Sequence, residues 1–235
     1  MDNIRTHKIL AYLQTAKTSS LKELMDKFGV SSATIHRDAA QLEKSGLVER
    51  VQGGLVYIGR GEAGMSYQER VVANRAGKLA AARKALRLIE DGDILFLDSS
   101  TTVFELAALL VHRDFNNLTI ATNAIPVMHL FRKLPPHWSL IGLGGDFDPQ
   151  LNSLLGPETL QQLSRLGLTK AFVSSFGFDG ESATTNHERQ AELLRTVLSL
   201  ASTSYLVIDA TKRGRKGLYK FAVRDDFGEI ITGGV

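Results

Sequence analysis

The chain has 235 residues, 43% of them hydrophobic, with 28 Lys and Arg against 25 Asp and Glu and no Cys. That length suits one or two domains, the lack of Cys excludes disulfides and thiolate chemistry, and no apolar run approaches the roughly 20 residues of a membrane span. The opening MDNIRTHKIL has no signal-peptide core, so a cytoplasmic protein is expected.

A first helix is predicted over 3–15, offering Ile9, Leu10 and Leu13 to a core. Ser20 with Glu23 has capping-box spacing, and Leu21, Leu24, Met25 and Phe28 make one apolar helical face that ends at Gly29. Ser31 or Ser32 caps the next helix, whose inner face is Ile35, Ala39 and Leu42 and whose end is Gly46. Two strands, 47–51 and 55–58, then flank a turn at Gly53-Gly54. The sum is a winged helix-turn-helix over residues 1–58, the geometry that lays a helix in a DNA major groove.

Beside the cap at Ser31, the residues Ser32, Thr34, His36, Arg37 and Gln41 are left for the outer side or flanks of that second helix. Small hydroxyls and an Arg suit base edges and phosphates; Arg50 and Gln52 in the wing are further phosphate candidates. Residues 1–60 hold nine Lys and Arg against six Asp and Glu, whereas the remainder balances at 19 of each. The whole surplus of positive charge thus sits where attraction to a duplex needs it. The competing readings are a helical pair that only packs, or one that grips protein.

Residues 59–65 read as a Gly-rich linker, and 66–235 as a second domain. One long helix is predicted over 66–90, stopped at Asp91-Gly92. Apolar runs at 94–97, 118–121, 140–143, 171–174 and 205–208 then alternate with helical patterns at 103–111, 124–133, 158–166 and 187–201. Such alternation predicts an α/β domain with a mostly parallel sheet; 221–223 and 229–232 can add strands.

Ligands of open α/β sheets bind beyond the carboxyl ends of the strands. The segment Asp98, Ser99, Ser100, Thr101, Thr102 leaves a strand and opens a helix, with Thr102 and Glu105 at capping-box spacing. It reads as a phosphate site at a helix N-terminus, or as a plain cap with spare hydroxyls. Thr122 and Asn123, Gly144 and Gly145, 174–179 and 209–212 end the following strands. Lys212 offers a cation or is a solvated loop residue; the glycines cradle an anion or only turn the chain; Glu188 binds a hydroxyl or serves the helix dipole. His7, His112, His129, His137 and His187 are scattered without metal-ligand spacing, so neither a metal nor a cofactor is expected.

Together these pieces resemble the DeoR family of bacterial transcription regulators. The motifs are SSATIHRDAAQLEKSGLVERVQGG, then ILFLDSSTT, TIATNAIPV, LGG, LGPETL, GFDGESAT and VIDATKRGRKG in the family's order. The resemblance implies an effector domain similar to ribose-5-phosphate isomerase. It also implies operator DNA as partner, a phosphorylated sugar as effector, self-association as dimer or tetramer, and repression of carbohydrate-catabolic genes. Carried over residue by residue, the DNA positions are Ser31, Ser32, Thr34, His36 and Arg37. The effector positions are Asp98, Ser99, Ser100, Thr101, Thr102, Thr122, Asn123, Gly144, Gly145 and Lys212. Three departures stand out. His36 replaces the first Arg of the family's pair, Ser100 stands where Gly is common, and the chain ends at Val235 where relatives continue, so a last element of the domain is expected to be missing. The rival is a sugar-phosphate isomerase on the same fold, but that enzyme's Lys- and Gly-rich catalytic segment has no counterpart here. No catalytic residue is assigned.

Overall fold

The computed structural model describes residues 4–44, 48–57 and 65–234. The chain divides into two compact units, Met1–Met65 and Ser66–Val235. The expected linker falls outside the described residues except for Met65, as does the expected helix stop at Gly46.

The first unit runs α1 (Ile4–Ala16), β1 (Thr18–Ser20), α2 (Leu21–Phe28), α3 (Ser32–Lys44), β2 (Val48–Val51) and β3 (Gly54–Tyr57). Ser20 caps α2 through a full capping box with Glu23, and Gly29 ends it in the left-handed conformation at φ 62°. Ile9, Leu13, Leu24, Ile35, Ala39, Leu42, Val48 and Leu55 form the core. Two details differ from expectation. The wing has three strands, because β1 pairs antiparallel with β3 from Thr18↔Val56 to Ser20↔Gly54. The turn is Gln52-Gly53, with Gly54 already in the ladder opposite Val51. Gly54 must lack a side chain because a Cβ there would lie 2.7 Å from the Ser19 carbonyl oxygen.

The second unit opens with α4 (Tyr67–Val72) and α5 (Arg75–Ala85), then a 3-10 turn at Leu86–Leu88. The single helix expected over 66–90 is therefore broken. Asn74 is left-handed at φ 50°, a conformation Asn tolerates. The fully buried Lys78 donates its ammonium to the carbonyls of Arg70 and Ala73, which a continuing helix would have used internally.

Then follow β4 (Ile94–Leu97), α6 (Thr101–Leu110), β5 (Thr119–Thr122), α7 (Ile125–Leu130), β6 (Ser139–Gly142), β7 (Asp146–Asp148), β8 (Ser153–Leu155) and α8 (Pro157–Leu163). The chain continues with β9 (Lys170–Val173), β10 (Gly177–Phe178), β11 (Ser182–Thr185), α9 (Glu188–Leu200), β12 (Thr203–Asp209), β13 (Tyr219–Val223) and β14 (Glu229–Gly233). Six strands make the main sheet in the order β14-β12-β9-β4-β5-β6, every neighbouring pair parallel. Successive side chains alternate between two cores: Leu95, Leu97, Phe172 and Val207 face the one formed with α5 and α6, while Phe96, Ala171, Val173, Leu206 and Ile208 face the one formed with α9. Burial on both faces explains why these strands read as continuous apolar runs. Among sheet strands taken in chain order, β4 is first and β9 fourth, and they are neighbours. The order reverses between them, and such a switch point leaves a crevice at the strands' carboxyl ends. The smaller strands form a β7-β8 hairpin and a β10-β11-β13 sheet.

Candidate functional site

In the first unit, Ser31 lies just before α3 and shares a 3.0 Å hydrogen bond with the Thr34 hydroxyl. Ser32, His36, Arg37 and Gln41 are exposed along α3, opposite the buried Ile35, Ala39 and Leu42. Arg37 and Gln41 have no partner among the described residues. Arg50 and Gln52 are exposed in the wing, and Arg50 Nη2 lies 3.1 Å from His36 Nδ1. The helix is held from behind: the Arg5 fork donates to both oxygens of the buried Asp38, at 2.6 and 3.1 Å. That hydrogen bonding, helped by the Asp38 charge and opposed by partial burial, pushes the Arg5 guanidinium further above its ordinary value. Asp38 is thus an anchor that sets the pose of α3, not one of its outward groups.

In the second unit, the carboxyl ends of β4, β5, β9 and β12 gather the loops that the sequence singles out. Asp98 is 1% exposed and spans the switch point. Its Oδ1 accepts from the Ser100 N–H at 2.9 Å and its Oδ2 from the Ser174 N–H at 2.8 Å. Burial drives this carboxyl above its usual range, while hydrogen bonds from Ser100 and Ser174 and the charge of Arg70 pull it back. The helix cap is Ser100, whose Oγ accepts from Val103 N–H at 3.1 Å, and not Thr102. Glu105, expected as the capping-box partner, instead accepts from Arg75 Nε at 2.8 Å. Thr101 and Thr102 are therefore the first two residues of α6, and no acceptor among the described residues takes their N–H groups. The hydroxyls of Ser99, Thr101 and Thr102 are likewise unengaged among the described residues.

Thr122 is fully buried and ties two strand ends together: its hydroxyl donates to the Leu97 carbonyl at 2.6 Å and accepts from Ala124 N–H at 3.1 Å. Asn123 donates through Nδ2 to the Leu154 carbonyl at 3.0 Å. Gly144 and Gly145 follow the edge strand β6, and their surroundings favour turning over cradling. The Gly144 N–H goes to Gln162 Oε1 and its carbonyl accepts from Thr159; a Cβ on Gly145 would collide with Thr159 and Leu155. Lys212 is not a solvated loop residue but is buried, with Nζ 5.8 Å from the centre of the Phe176 ring. Its neighbours Arg213, Arg215 and Lys216 are exposed, as is Glu188 in the first turn of α9.

Five buried side-chain oxygens lack a hydrogen-bond partner among the described residues: Asn123 Oδ1, Ser153 Oγ, Ser175 Oγ, Asp209 Oδ2 and Ser204 Oγ. Asn123, Ser175 and Asp209 end or follow β5, β9 and β12, with β4 between the first two of these strands, and Ser153 bridges to Ala124. Three further residues join this rim without any signal in the sequence. Tyr67 and Arg70 come from α4, with the Arg70 guanidinium 5.5 Å from the Tyr67 ring centre. Burial pushes the Tyr67 phenol up, Arg70 opposes, and Asp98 and Glu105 add to the rise. His187 is held below its ordinary value by burial first; Asp148 opposes and Arg70 reinforces.

Residues 5–60 match a DeoR-like helix-turn-helix domain, and residues 73–234 match the DeoR C terminal sensor domain. A lactose phosphotransferase system repressor of Staphylococcus epidermidis is 33% identical over 216 residues, covering 89% of this chain and 83% of that protein. The HTH-type transcriptional regulator IolR of Bacillus subtilis is 29% identical over 233 residues, covering 99% of this chain and 91% of its own length. Among solved structures, ribose 5-phosphate isomerase A from Methanocaldococcus jannaschii is 14% identical with a TM-score of 0.43, covering 60% of this chain and 55% of that one. The eIF2B delta subunit from Chaetomium thermophilum is 15% identical with a TM-score of 0.45, covering 70% and 57%. Likeness so distant carries no argument about chemistry.

Proposed function

The chain belongs to the DeoR family of transcriptional regulators, and from that premise we propose that it represses carbohydrate-catabolic genes and that a phosphorylated sugar sets its grip on operator DNA. The observation that carries the effector class is the set of unpartnered oxygens at the strand ends: Asn123 Oδ1, Ser153 Oγ, Ser175 Oγ and Asp209 Oδ2. A buried polar atom without a partner costs about 1–3 kcal/mol, and four at one rim call for a ligand that supplies partners. Asn Oδ1 only accepts, so the ligand must donate there, as sugar hydroxyls do. The open N–H groups of Thr101 and Thr102 at the start of α6, with Ser99 and Lys212 nearby in the same loop set, suit a phosphate. Thr122 positions the rim, and Gly144 and Gly145 shape its edge.

On the DNA side, Ser32, Thr34, Arg37 and Gln41 meet base edges and phosphates, with Ser31, His36, Arg50 and Gln52 on the backbone. Two copies reading half-sites about 34 Å apart, or a multiple of that, complete the proposal. The second unit is a binding module in this reading, not a catalyst.

The test has two halves. Melting of the full chain is followed with ribose 5-phosphate, glucose 6-phosphate, fructose 1-phosphate and fructose 6-phosphate, each beside its unphosphorylated sugar; a ligand at 100 times its Kd stabilises by about 2.7 kcal/mol. Duplex binding is followed by anisotropy against salt, for which a steep negative slope is expected. Arg37→Ala lowers operator affinity about 10- to 100-fold, the size of a lost bidentate base contact, and leaves the sugar-phosphate shift in place. Salt-independent duplex binding, or melting indifferent to all four phosphates, defeats the reading.

A further inference from the structure

The ten residues that begin the second unit lie across its strand-end loops. Ser66 and Glu69 form a capping box at the start of α4. Arg70 Nη2 then donates to the carbonyl of Gln150, in the turn between β7 and β8, at 2.7 Å. Asn74 Nδ2 donates to Thr211 Oγ1, in the loop after β12, at 3.0 Å. Arg75 Nε donates to Glu105 on α6. One segment, which follows the connection to the helix-turn-helix unit, thus touches two strand-end loops and the first helix after β4.

Within this strap Arg70 stands apart. Asn74 bonds a hydroxyl that itself bonds Asp209, and Arg75 bonds the buried side chain of Glu105. Arg70 instead bonds a neutral backbone carbonyl at the tip of a hairpin. Its charge acts on both the Asp98 carboxyl and the His187 ring. Its own carbonyl, with that of Ala73, is held by the buried Lys78 ammonium. A shift of the guanidinium is therefore carried by a short helix clamped at its far end.

We propose that Arg70, on α4 and bonded to the Gln150 carbonyl, is a ligand for the phosphate of the effector and the residue that reports its arrival to the connecting segment. This rests on the reading of the crevice as a sugar-phosphate site. A guanidinium matches phosphate with paired charge-assisted hydrogen bonds, roughly twice as strong as those to a neutral acceptor. An arriving phosphate draws Arg70 from Gln150 and unhooks α4 from the hairpin. The two positions of Arg70 are the two states that effector binding must distinguish if it is to bias DNA affinity.

The full chain is the test material, with the four sugar phosphates above and inorganic phosphate as probes. Arg70→Ala raises the apparent Kd for the best-binding sugar phosphate at least tenfold and narrows its advantage over the unphosphorylated sugar. Arg70→Lys, which keeps the charge and loses the fork, falls between. Inorganic phosphate competes with the sugar phosphate in the wild type and loses that effect in Arg70→Ala. The concentration that releases operator DNA rises in step with the Kd. Wild-type Kd in Arg70→Ala, or equal weakening of sugar and sugar phosphate, overturns the role of Arg70 while the crevice reading stands. Tenfold weaker binding with unchanged operator release overturns the reporting role. Failure of the wild type to bind any of the four overturns both.

Discussion

The Arg50 guanidinium in the wing sits 3.1 Å from Nδ1 of His36 on α3. An Arg can only donate, so the ring must accept at Nδ1 and carry its proton on Nε2. An acceptor nitrogen here lets the wing Arg lean onto the helix, where a second Arg would repel it. His36→Arg restores the pair of cations that the family pattern prefers and turns both side chains toward the phosphates. The salt dependence of binding to random duplex steepens by about 0.9 in log–log slope, one added phosphate contact. An unchanged slope from 50 to 200 mM salt argues that position 36 does not approach the backbone.

Glu23 closes the cap of α2: its Oε2 accepts from Ser20 N–H at 2.9 Å and from the Ser19 hydroxyl at 3.0 Å. The Ser20 backbone bond first, then the Ser19 hydroxyl, hold its carboxyl below the usual range. A lowered carboxylate contributes stability that is present above its unfolded value and lost as pH falls through the folded one. Acidification below about pH 4.5 therefore weakens the first unit. Glu23→Gln keeps an acceptor but cannot titrate, so its melting temperature falls less steeply over the same range. Ser20→Ala removes the reciprocal bond and costs about 1 kcal/mol at any pH. Parallel acid profiles for wild type and Glu23→Gln contradict the assignment.

Much of this architecture is legible in the sequence because its causes are local. Ser20, Glu23 and Gly29 fix α2 within ten residues, and burial on both faces marks the inner strands β4, β5, β9 and β12 of the main sheet. What escapes the sequence is set by distant partners. The three polar residues of β1 become a strand only because β3 lies beside them. The break at Asn74 depends on an ammonium one turn into the next helix. Ser153 looks ordinary, and Ser175 and Asp209 read only as members of strand-end loops, until strand order brings them together; the switch point is a property of that order alone. Arg70 hides inside a stretch that reads as one amphipathic helix. The Asp98 loop is visible as a strand-to-helix turn, yet which hydroxyl caps and which stay open is decided by geometry at Ser100.

Asp98 accepts N–H groups from both sides of the switch point, Ser100 and Ser174. Asn at 98 satisfies one and turns an NH2 toward the other, so Asp98→Asn costs about 1–3 kcal/mol at neutral pH. Burial raises the wild-type carboxyl, and the sign follows. Its contribution is greatest below the ordinary 3.8 and is lost as pH rises through the raised folded value. The stability gap between wild type and Asp98→Asn therefore narrows with rising pH. Trp138 is the one Trp of the chain, and it is buried in the second unit, so its fluorescence in urea reports that unit. A gap that widens with pH contradicts the burial argument.

His187, at the N-cap of α9, is kept neutral mainly by burial, with Arg70 adding to the effect and Asp148 opposing it. A lowered imidazole contributes stability that is present above its ordinary 6.5 and lost as pH falls through the folded value. A phosphate in the crevice reverses the balance: it adds negative charge and engages Arg70, both of which favour the imidazolium. Effector binding near pH 6 is thus coupled to proton uptake. Calorimetry with the best-binding sugar phosphate, run in two buffers of different ionisation enthalpy, measures that uptake directly. Wild type takes up a fraction of a proton at pH 6 and almost none at pH 8. His187→Gln still binds and loses the protein's share of that uptake, keeping only the part due to the phosphate's own second ionisation at about 6. Uptake undiminished in His187→Gln places the titrating group elsewhere, and no difference between the two proteins places the phosphate away from this end of α9.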